Sequence, residues 1–189
     1  MLVRLGARDR GNCNQGGPGH KPSEAVKYME GAVGAECYTQ PMTPRADIEV
    51  LDKDGRVAAV VEVKARRDTT AAWPAELRRN LLAHGVIPRT EFFILATPER
   101  IHLWRHALHE DPARAPDFVA SAESLLGEYL RSAQIETGNL RGSTLELVVV
   151  QWLVDVARGR AGSRNEPLVR DSGLGDAIAD GVVEVPTAA

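Results

Sequence analysis

The chain has 189 residues, of which 43% are hydrophobic and 26% are charged, and its formal net charge is -3. This length favours one domain with a real core, and the composition is that of a globular chain rather than a disordered one. The sequence has no apolar run of the roughly 20 residues that a membrane span needs, so we expect a cytoplasmic protein without membrane contact. Because the balance is slightly acidic, any nucleic-acid binding must depend on local basic patches.

The composition changes along the chain in a way that indicates one domain with loose ends. Residues 1–20 are rich in glycine and polar side chains, which is typical of a flexible N-terminal segment. We expect residues 21–157 to form an α/β domain that ends in helices. Residues 158–189 are expected to add a loop, a short helix and a strand that pack on the same domain. Cys13 and Cys37 form no CxxC pair, so neither a disulfide framework nor a cysteine-based zinc site is indicated.

A first helix is predicted over residues 24–33, with Ser23 as the N-cap and Gly34 after the last turn. Its apolar side is formed by residues at helical spacing: Val26, Met29, Ala32 and Val33. The other side of this helix carries charged residues: Glu24, Lys27 and Glu30.

A β-hairpin is predicted over residues 46–65, which read ADIEVLD, KDGR and VAAVVEVKA. The Asp54-Gly55 pair predicts a two-residue primed turn, and Asp47 would then lie directly opposite Glu62. A core face would hold Ile48, Val50, Val57, Val61 and Val63. The opposite face would carry the chemistry, with Asp47, Glu49, Val60, Glu62 and Lys64. A three-residue turn would shift the register by one residue and break this alignment.

Later elements are predicted from periodicity. A helix over residues 73–84 would have an apolar side, with Arg78 and Arg79 lying off it. EFFILAT and RIHLW predict a buried strand and its neighbour. Helices are also expected over residues 118–131 and 145–156, a loop over 159–165, a short helix over 174–179 and a strand over 182–185.

The order helix, hairpin, helix, strand, with Asp47 in the hairpin and Glu62-Val63-Lys64 at its end, resembles the PD-(D/E)XK nuclease superfamily. That superfamily includes many restriction enzymes and the N-terminal nuclease domains of type I restriction subunits. The resemblance covers residues 22–104, with Ala46 where a proline often precedes the aspartate. It implies an α/β, restriction-endonuclease-like mixed β-sheet flanked by helices (αβββαβ core), with C-terminal helical additions. It also implies that a first-helix carboxylate, Glu30 or Glu24, joins the site.

The residue types themselves indicate metal-dependent hydrolysis. Two carboxylates on paired strands can share a hard divalent ion, so Asp47 and Glu62, with Glu30 by resemblance, are expected to bind Mg²⁺ or Mn²⁺. The ion would lower the pKa of a bound water and offset charge on a phosphate. Lys64 would orient that water or stabilise the phosphorus centre, a role that suits a compact ammonium group. The prediction is an endodeoxyribonuclease with Asp47, Glu62 and Lys64 as catalytic residues.

Arginines after the hairpin are candidates for DNA phosphate contacts: Arg66, Arg67, Arg78, Arg79 and Arg89. The chain has no recognisable target-recognition module. Sequence specificity would therefore come from its loops, from a homodimer or from a larger restriction, repair or mobile-element complex.

Other interpretations stay open at this point. The chain could be a catalytically inactive binding or scaffold protein that keeps the nuclease fold. It could also be an unrelated α/β domain whose hairpin charges merely face water. A zinc site of His102, His106 and His109 is disfavoured, because His102 falls in a predicted strand and no cysteine or carboxylate completes the set. The sequence contains neither a phosphate-binding glycine loop nor a Gly-x-Ser-x-Gly elbow.

Overall fold

A computed structural model describes residues 46–88, 90–106, 111–136, 140–160 and 166–186. In chain order, the elements are β1 (Ile48–Leu51), β2 (Val57–Val63), α1 (Trp73–Ala83), β3 (Phe92–Ala96), β4 (Arg100–Arg105), β5 (Phe118–Ser121), α2 (Ala122–Ser132), α3 (Gly142–Ala157), α4 (Pro167–Ser172), α5 (Leu174–Ala177) and β6 (Val182–Glu184). Several predictions lie outside the described residues: the N-terminal segment 1–20, the first helix with Glu24 and Glu30, and the positions Cys13, Cys37, Arg89 and His109.

The strands form one mixed sheet in the order β5-β4-β3-β2-β1-β6. Strands β2 and β3 pair in parallel, and the other neighbours pair antiparallel. A parallel pair needs a crossover connection, which α1 supplies. Helix α1 covers one face of the sheet, and α2 and α3 cover the other. The predicted class is therefore confirmed: an α/β fold with a mixed sheet flanked by helices, consistent with a restriction-endonuclease-like fold.

The strand on the outer side of β1 comes from the C-terminal segment. In an αβββαβ core, three strands precede the crossover helix, whereas two precede α1 in the part of the chain that the structure describes. Strand β6 lies antiparallel to β1, with Val183 opposite Val50. The third strand of this half of the sheet is thus supplied from the far end of the sequence.

The hairpin turn has three residues, so the predicted two-residue turn is wrong. The Asp52 amide donates to the Arg56 carbonyl at 2.8 Å, which leaves Lys53, Asp54 and Gly55 in the loop. Gly55 has a φ of 79°, and Asp54 is not among the residues with positive φ. The Asp52 carboxylate accepts from the amides of Asp54 and Arg56 at 2.8 and 2.9 Å. These two hydrogen bonds favour a type I turn that ends in a residue with left-handed backbone conformation, here Gly55.

A β-bulge restores the register that the longer turn would have shifted. Leu51 pairs with Val57, but the next pair is Val50 with Ala59, so Ala58 is the extra residue. Beyond the bulge, Ile48 pairs with Val61, as a two-residue turn would also have given. The alignment of Asp47 with Glu62 is kept because the two irregularities compensate.

The bulge also changes which face one valine occupies. Val57 packs on the α1 side of the sheet, not on the face of Val61 and Val63 where it was predicted. The α1 side is itself a second core, formed largely by aromatic and aliphatic residues of α1, β2, β3 and β4: Val60, Trp73, Leu77, Leu81, Leu82, Phe93, Leu95 and Trp104. The predicted catalytic residues Asp47, Glu62 and Lys64 lie only at the end of this face.

Helices α1 and α3 agree with the predictions, as do the elements near residues 174 and 182. The prediction of helix for residues 118–121 is wrong. These residues form β5, in which Phe118 pairs with Leu103 of β4. Ser121 ends this strand, and its hydroxyl accepts from the Glu123 amide at 3.2 Å, which caps α2. Helix α4 was not predicted. Its Leu168 and Val169 are buried, and Gly173, with a φ of 82°, ends it.

The described helices include none with both the length and the apolar composition required to cross a bilayer.

Candidate functional site

Asp47, Glu62 and Lys64 meet at the end of the hairpin that is remote from its turn. Asp47 directly precedes β1, and Glu62 is the last but one residue of β2. The Lys64 amide donates to the Ala96 carbonyl at 2.9 Å, so the chain stays anchored to the end of β3 just beyond β2. Because side chains alternate along a strand, Glu62 and Lys64 project from the same side.

The three side chains form one connected cluster. Oδ2 of Asp47 accepts from the Val63 amide at 2.7 Å, which fixes this carboxylate against β2. Nζ of Lys64 donates to Oε1 of Glu62 and lies 3.6 Å from Oδ2 of Asp47. The ammonium group therefore bridges the two carboxylates, as the predicted register requires.

Glu62 is the most deeply buried member of this cluster. Its side chain is 8% exposed, compared with 34% for Asp47 and 37% for Lys64. Its Oε2 atom is buried and accepts no hydrogen bond from any residue that the structure describes. Burial raises the pKa of Glu62, the hydrogen bond from Lys64 opposes this, and the charge of Asp47 raises it further. The site thus holds a carboxylate oxygen that has been desolvated without receiving a donor.

The surroundings of Lys64 keep it positively charged. Burial alone would lower the pKa of this ammonium group, but the hydrogen bond and charge of Glu62, together with the charge of Asp47, raise it above the usual value. In this arrangement Lys64 is a fixed cation and not a proton acceptor.

The oxygen atoms fit a hard divalent cation. Buried polar atoms normally have partners, and a cation would supply one for Oε2 of Glu62. Magnesium prefers oxygen ligands and keeps several waters, so two protein carboxylates are a sufficient set. Within the described ranges, no group of three or more histidine, cysteine, aspartate or glutamate residues is arranged to hold a metal ion. Glu30 and Glu24, the predicted additional ligands, lie outside those ranges.

Glu146 of α3 is a neighbouring acid that the sequence did not indicate. Helix α3 begins beside the cluster. A Cβ atom added at Gly142, the first residue of this helix, would lie 3.9 Å from the Cβ of Ala65, which follows Lys64. Glu146 is one turn further along the helix. Burial and the charge of Asp47 raise the pKa of Glu146. The only signal in the sequence was a single acid in the largely apolar run LELVVVQWLV.

The arginines predicted to contact DNA divide into two groups. Arg66, Arg67 and Arg79 are exposed, and the guanidinium of Arg66 lies 5.2 Å from the ring centre of Trp73. Arg78, by contrast, is fully buried, so its expected position off the packed side of α1 is wrong. Its Nη1 donates to the carbonyls of Asp111 and Pro112 at 3.1 and 2.9 Å.

The arrangement of Arg78 explains why an arginine occurs in the core. Its guanidinium lies 6.0 Å from the ring centre of Trp104, and a long stem lets it cross apolar surface to reach carbonyl groups. A guanidinium with this burial cannot meet a phosphate at the surface. Arg78 is therefore not a candidate for contact with DNA.

His102 is a second buried polar group on the α1 side of the sheet. It pairs with Leu95, which in turn pairs with Glu62, so two strand spacings separate the histidine from the carboxylate. Its Nδ1 makes no hydrogen bond within the described structure. Burial and the charge of Arg100 lower the pKa of His102 to about 4, so it is neutral near pH 7. His106 is exposed, and the described residues hold no zinc-type cluster.

Comparison with known proteins gives one informative similarity. No protein-family model and no solved structure matches the chain. The chain is similar to a UPF0102 protein of Dehalococcoides mccartyi, with 27% identity over 96 residues, which covers 51% of this chain and 71% of that relative. The name of the relative assigns it to a numbered family and states no activity.

Proposed function

We propose that this protein is a Mg²⁺-dependent endonuclease that hydrolyses phosphodiester bonds in DNA. The observation that carries this proposal is the cluster of Asp47, Glu62 and Lys64, in which the buried Oε2 atom of Glu62 has no hydrogen-bond donor in the described part of the chain. Two carboxylates beside a fixed ammonium group suit a site that receives a cation and a phosphate. The restriction-endonuclease-like fold supports the proposal, as does the resemblance of the motif.

Each residue of the cluster has a separate role in this proposal. Asp47 and Glu62 would hold the cation, with Asp47 already oriented by the Val63 amide at 2.7 Å. The ion, when bound, would lower the pKa of a water and offset charge on the phosphate. Lys64 would contact the phosphate oxygens, where its positive charge stabilises the negative charge that develops during the reaction.

DNA would approach from the exposed side of the cluster. Arg66 and Arg67 follow Lys64 in the chain and are exposed, and Arg79 is exposed on α1. Phosphate contacts of this kind position a duplex without reading its sequence. Sequence choice would then depend on a second copy of the chain or on a larger complex.

One observation favours a second candidate, a binding or scaffold protein that retains the fold without catalysis. The ammonium of Lys64 pairs with Glu62 and lies 3.6 Å from Asp47, so the carboxylates are partly neutralised without a metal. In that case Lys64 would be a structural counter-ion.

The test is cleavage of supercoiled plasmid DNA by the purified protein with Mg²⁺ or Mn²⁺, with EDTA as the metal-free control. We expect nicked or linear product that disappears with EDTA and in Asp47→Asn. Asp54→Asn, which changes an exposed carboxylate in the hairpin turn, is the matched control and should remain active. A wild-type protein that binds the metal but cleaves neither DNA nor RNA would favour the scaffold. Cleavage of RNA alone would correct the substrate.

A further inference from the structure

Helices α2 and α3 leave an apolar groove between them. Its volume is about 460 Å³, and its lining includes Tyr129, Ile135, Thr144, Leu147, Val148 and Gln151. Leu147 is 70% exposed, which is the largest exposure among the large hydrophobic side chains that the structure describes. Leu147 and the apolar lining beside it form a contiguous apolar surface, which is typical of a site that another segment covers.

We propose that the apolar side of residues 24–33 docks in this groove as a helix. The sequence predicts that helix from the spacing of Val26, Met29 and Val33, which places three apolar side chains along one side. Recognition of an amphipathic helix by a groove uses anchors at this spacing. A helix over these residues would be about 15 Å long, which is about three turns.

The route of the chain supports this occupant. The described structure begins at Ala46, next to Asp47. Asp47 accepts a hydrogen bond from the Val63 amide at 2.7 Å, and a Cβ built at Gly142, the first residue of α3, would lie 3.9 Å from the Cβ of Ala65. The chain therefore enters the fold beside the first turns of α3, near the groove. Residues 34–45 can span up to about 40 Å, which is ample for the return to the α2 and α3 surface.

The lining of the groove is largely apolar and includes no lysine or arginine, so it does not favour binding of the phosphates of a nucleic acid. The lining of the groove includes none of Asp47, Glu62 and Lys64, so the docking can be tested separately from the proposed nuclease activity.

Cysteine cross-linking of the full chain tests the docking. In a Cys13→Ser, Cys37→Ser background, Leu147→Cys is combined in turn with Val26→Cys, Met29→Cys or Val33→Cys and treated with a short bismaleimide. We expect at least one pair to link mainly within one molecule, as identified by peptide mass. Lys27→Cys, on the predicted polar side, is the matched control and should link at least fivefold less. Equal linking from Lys27→Cys, or no link from any of the three, would overturn the proposal.

Links between two molecules would also overturn it, because a second copy would then fill the groove. Hydrogen exchange provides an independent measurement. Leu147→Glu places a charge in the groove at an exposed position, so the fold itself should tolerate it. We expect exchange over residues 24–33 to become at least tenfold faster than in wild type, whereas Leu147→Met should leave it unchanged. Equal exchange in wild type and Leu147→Glu would contradict the docking.

Discussion

Two charged side chains are buried on the α1 side of the sheet, and their surroundings differ. Arg78 lies beneath α1, where its Nη1 donates to two backbone carbonyls and the ring of Trp104 lies close by. Glu62 lies at the end of β2, where it meets one ammonium group and keeps a buried oxygen without a donor in the described structure. Arg78 is enclosed, whereas Glu62 has half-buried neighbours in Asp47 and Lys64.

The role of each buried charge depends on whether its surroundings are closed or open to solvent. A buried charge whose donors reach backbone acceptors across a closed interface stabilises the fold. A buried charge at an open strand end, beside half-buried charged groups, can be reached by a ligand that offsets the cost of its desolvation. By this reasoning Arg78 belongs to the core, and Glu62 belongs to a site.

Loss of the ammonium group of Lys64 should affect catalysis strongly. Lys64→Ala should lower metal-dependent DNA cleavage by roughly 10²-fold or more, because it removes the fixed cation that would stabilise charge on the phosphate. Lys53→Ala, an exposed lysine in the turn of the same hairpin, is the control and should keep wild-type activity. Initial rates of plasmid nicking measure both. A folded Lys64→Ala protein with the wild-type rate would contradict the assignment of Glu62 and its partner Lys64 to a catalytic site.

The next effect concerns stability at the enclosed charge. Arg78→Ala should lower the free energy of unfolding by roughly 3 kcal/mol, because two carbonyls lose a charged donor and a cavity forms. Arg79→Ala, exposed on the adjacent position of α1, should change it by less than about 0.5 kcal/mol. Urea denaturation followed by circular dichroism measures the difference. Equal effects of the two substitutions would mean that Arg78 is not the structural arginine.

A pH effect is expected from His102, which lies between the two regions. The pKa of about 4 in the folded protein, against an ordinary value of 6.5, means that its contribution to stability is present above pH 6.5 and is lost as pH falls towards 4. Between pH 7 and pH 5 this loss amounts to about 2 kcal/mol. His102→Leu should remove that part of the pH dependence in urea denaturation. An identical dependence in wild type and His102→Leu would show that the histidine is not held neutral.

The smallest effect is expected at the hairpin turn, remote from both charges. Gly55→Ala should cost about 1 kcal/mol, because alanine disfavours the positive φ of 79°, although nothing lies within 4 Å of the added Cβ. Gly55→Asn should cost less, because asparagine tolerates this conformation better. Metal affinity should stay at the wild-type value in both variants. A loss of affinity in Gly55→Asn would mean that the turn, and not the bulge, sets the site.

The sequence allowed the fold class to be predicted, but not all of the details that position the site. Hydrophobic runs identified β2, β3, β4, α1 and α3, because burial on one or both faces leaves a strong pattern. The edge strand β5 was predicted as helix. Residues 118–121 are partly exposed, so their pairing with β4 is a tertiary effect.

The register of the hairpin shows how a prediction can be correct for an incomplete reason. The Asp52 side chain selected a longer turn, and a bulge at Ala58 then compensated for it. Neither feature follows from periodicity, because both depend on local hydrogen bonds. Arg78 was assigned to the surface for a related reason. A helical pattern counts it as polar and does not reveal the carbonyls of the distant Asp111 and Pro112.

Isothermal titration of Mg²⁺ and Mn²⁺ measures the metal site at Asp47 and Glu62 itself. We expect one binding site per chain in wild type and no binding in the double variant Asp47→Ala, Glu62→Ala. Glu49→Ala, which removes a half-buried acid from the adjacent part of β1, should bind as wild type does. Circular dichroism would verify that each variant is folded. Equal affinity in wild type and the double variant, or no binding by wild type, would contradict a metal site at Asp47 and Glu62.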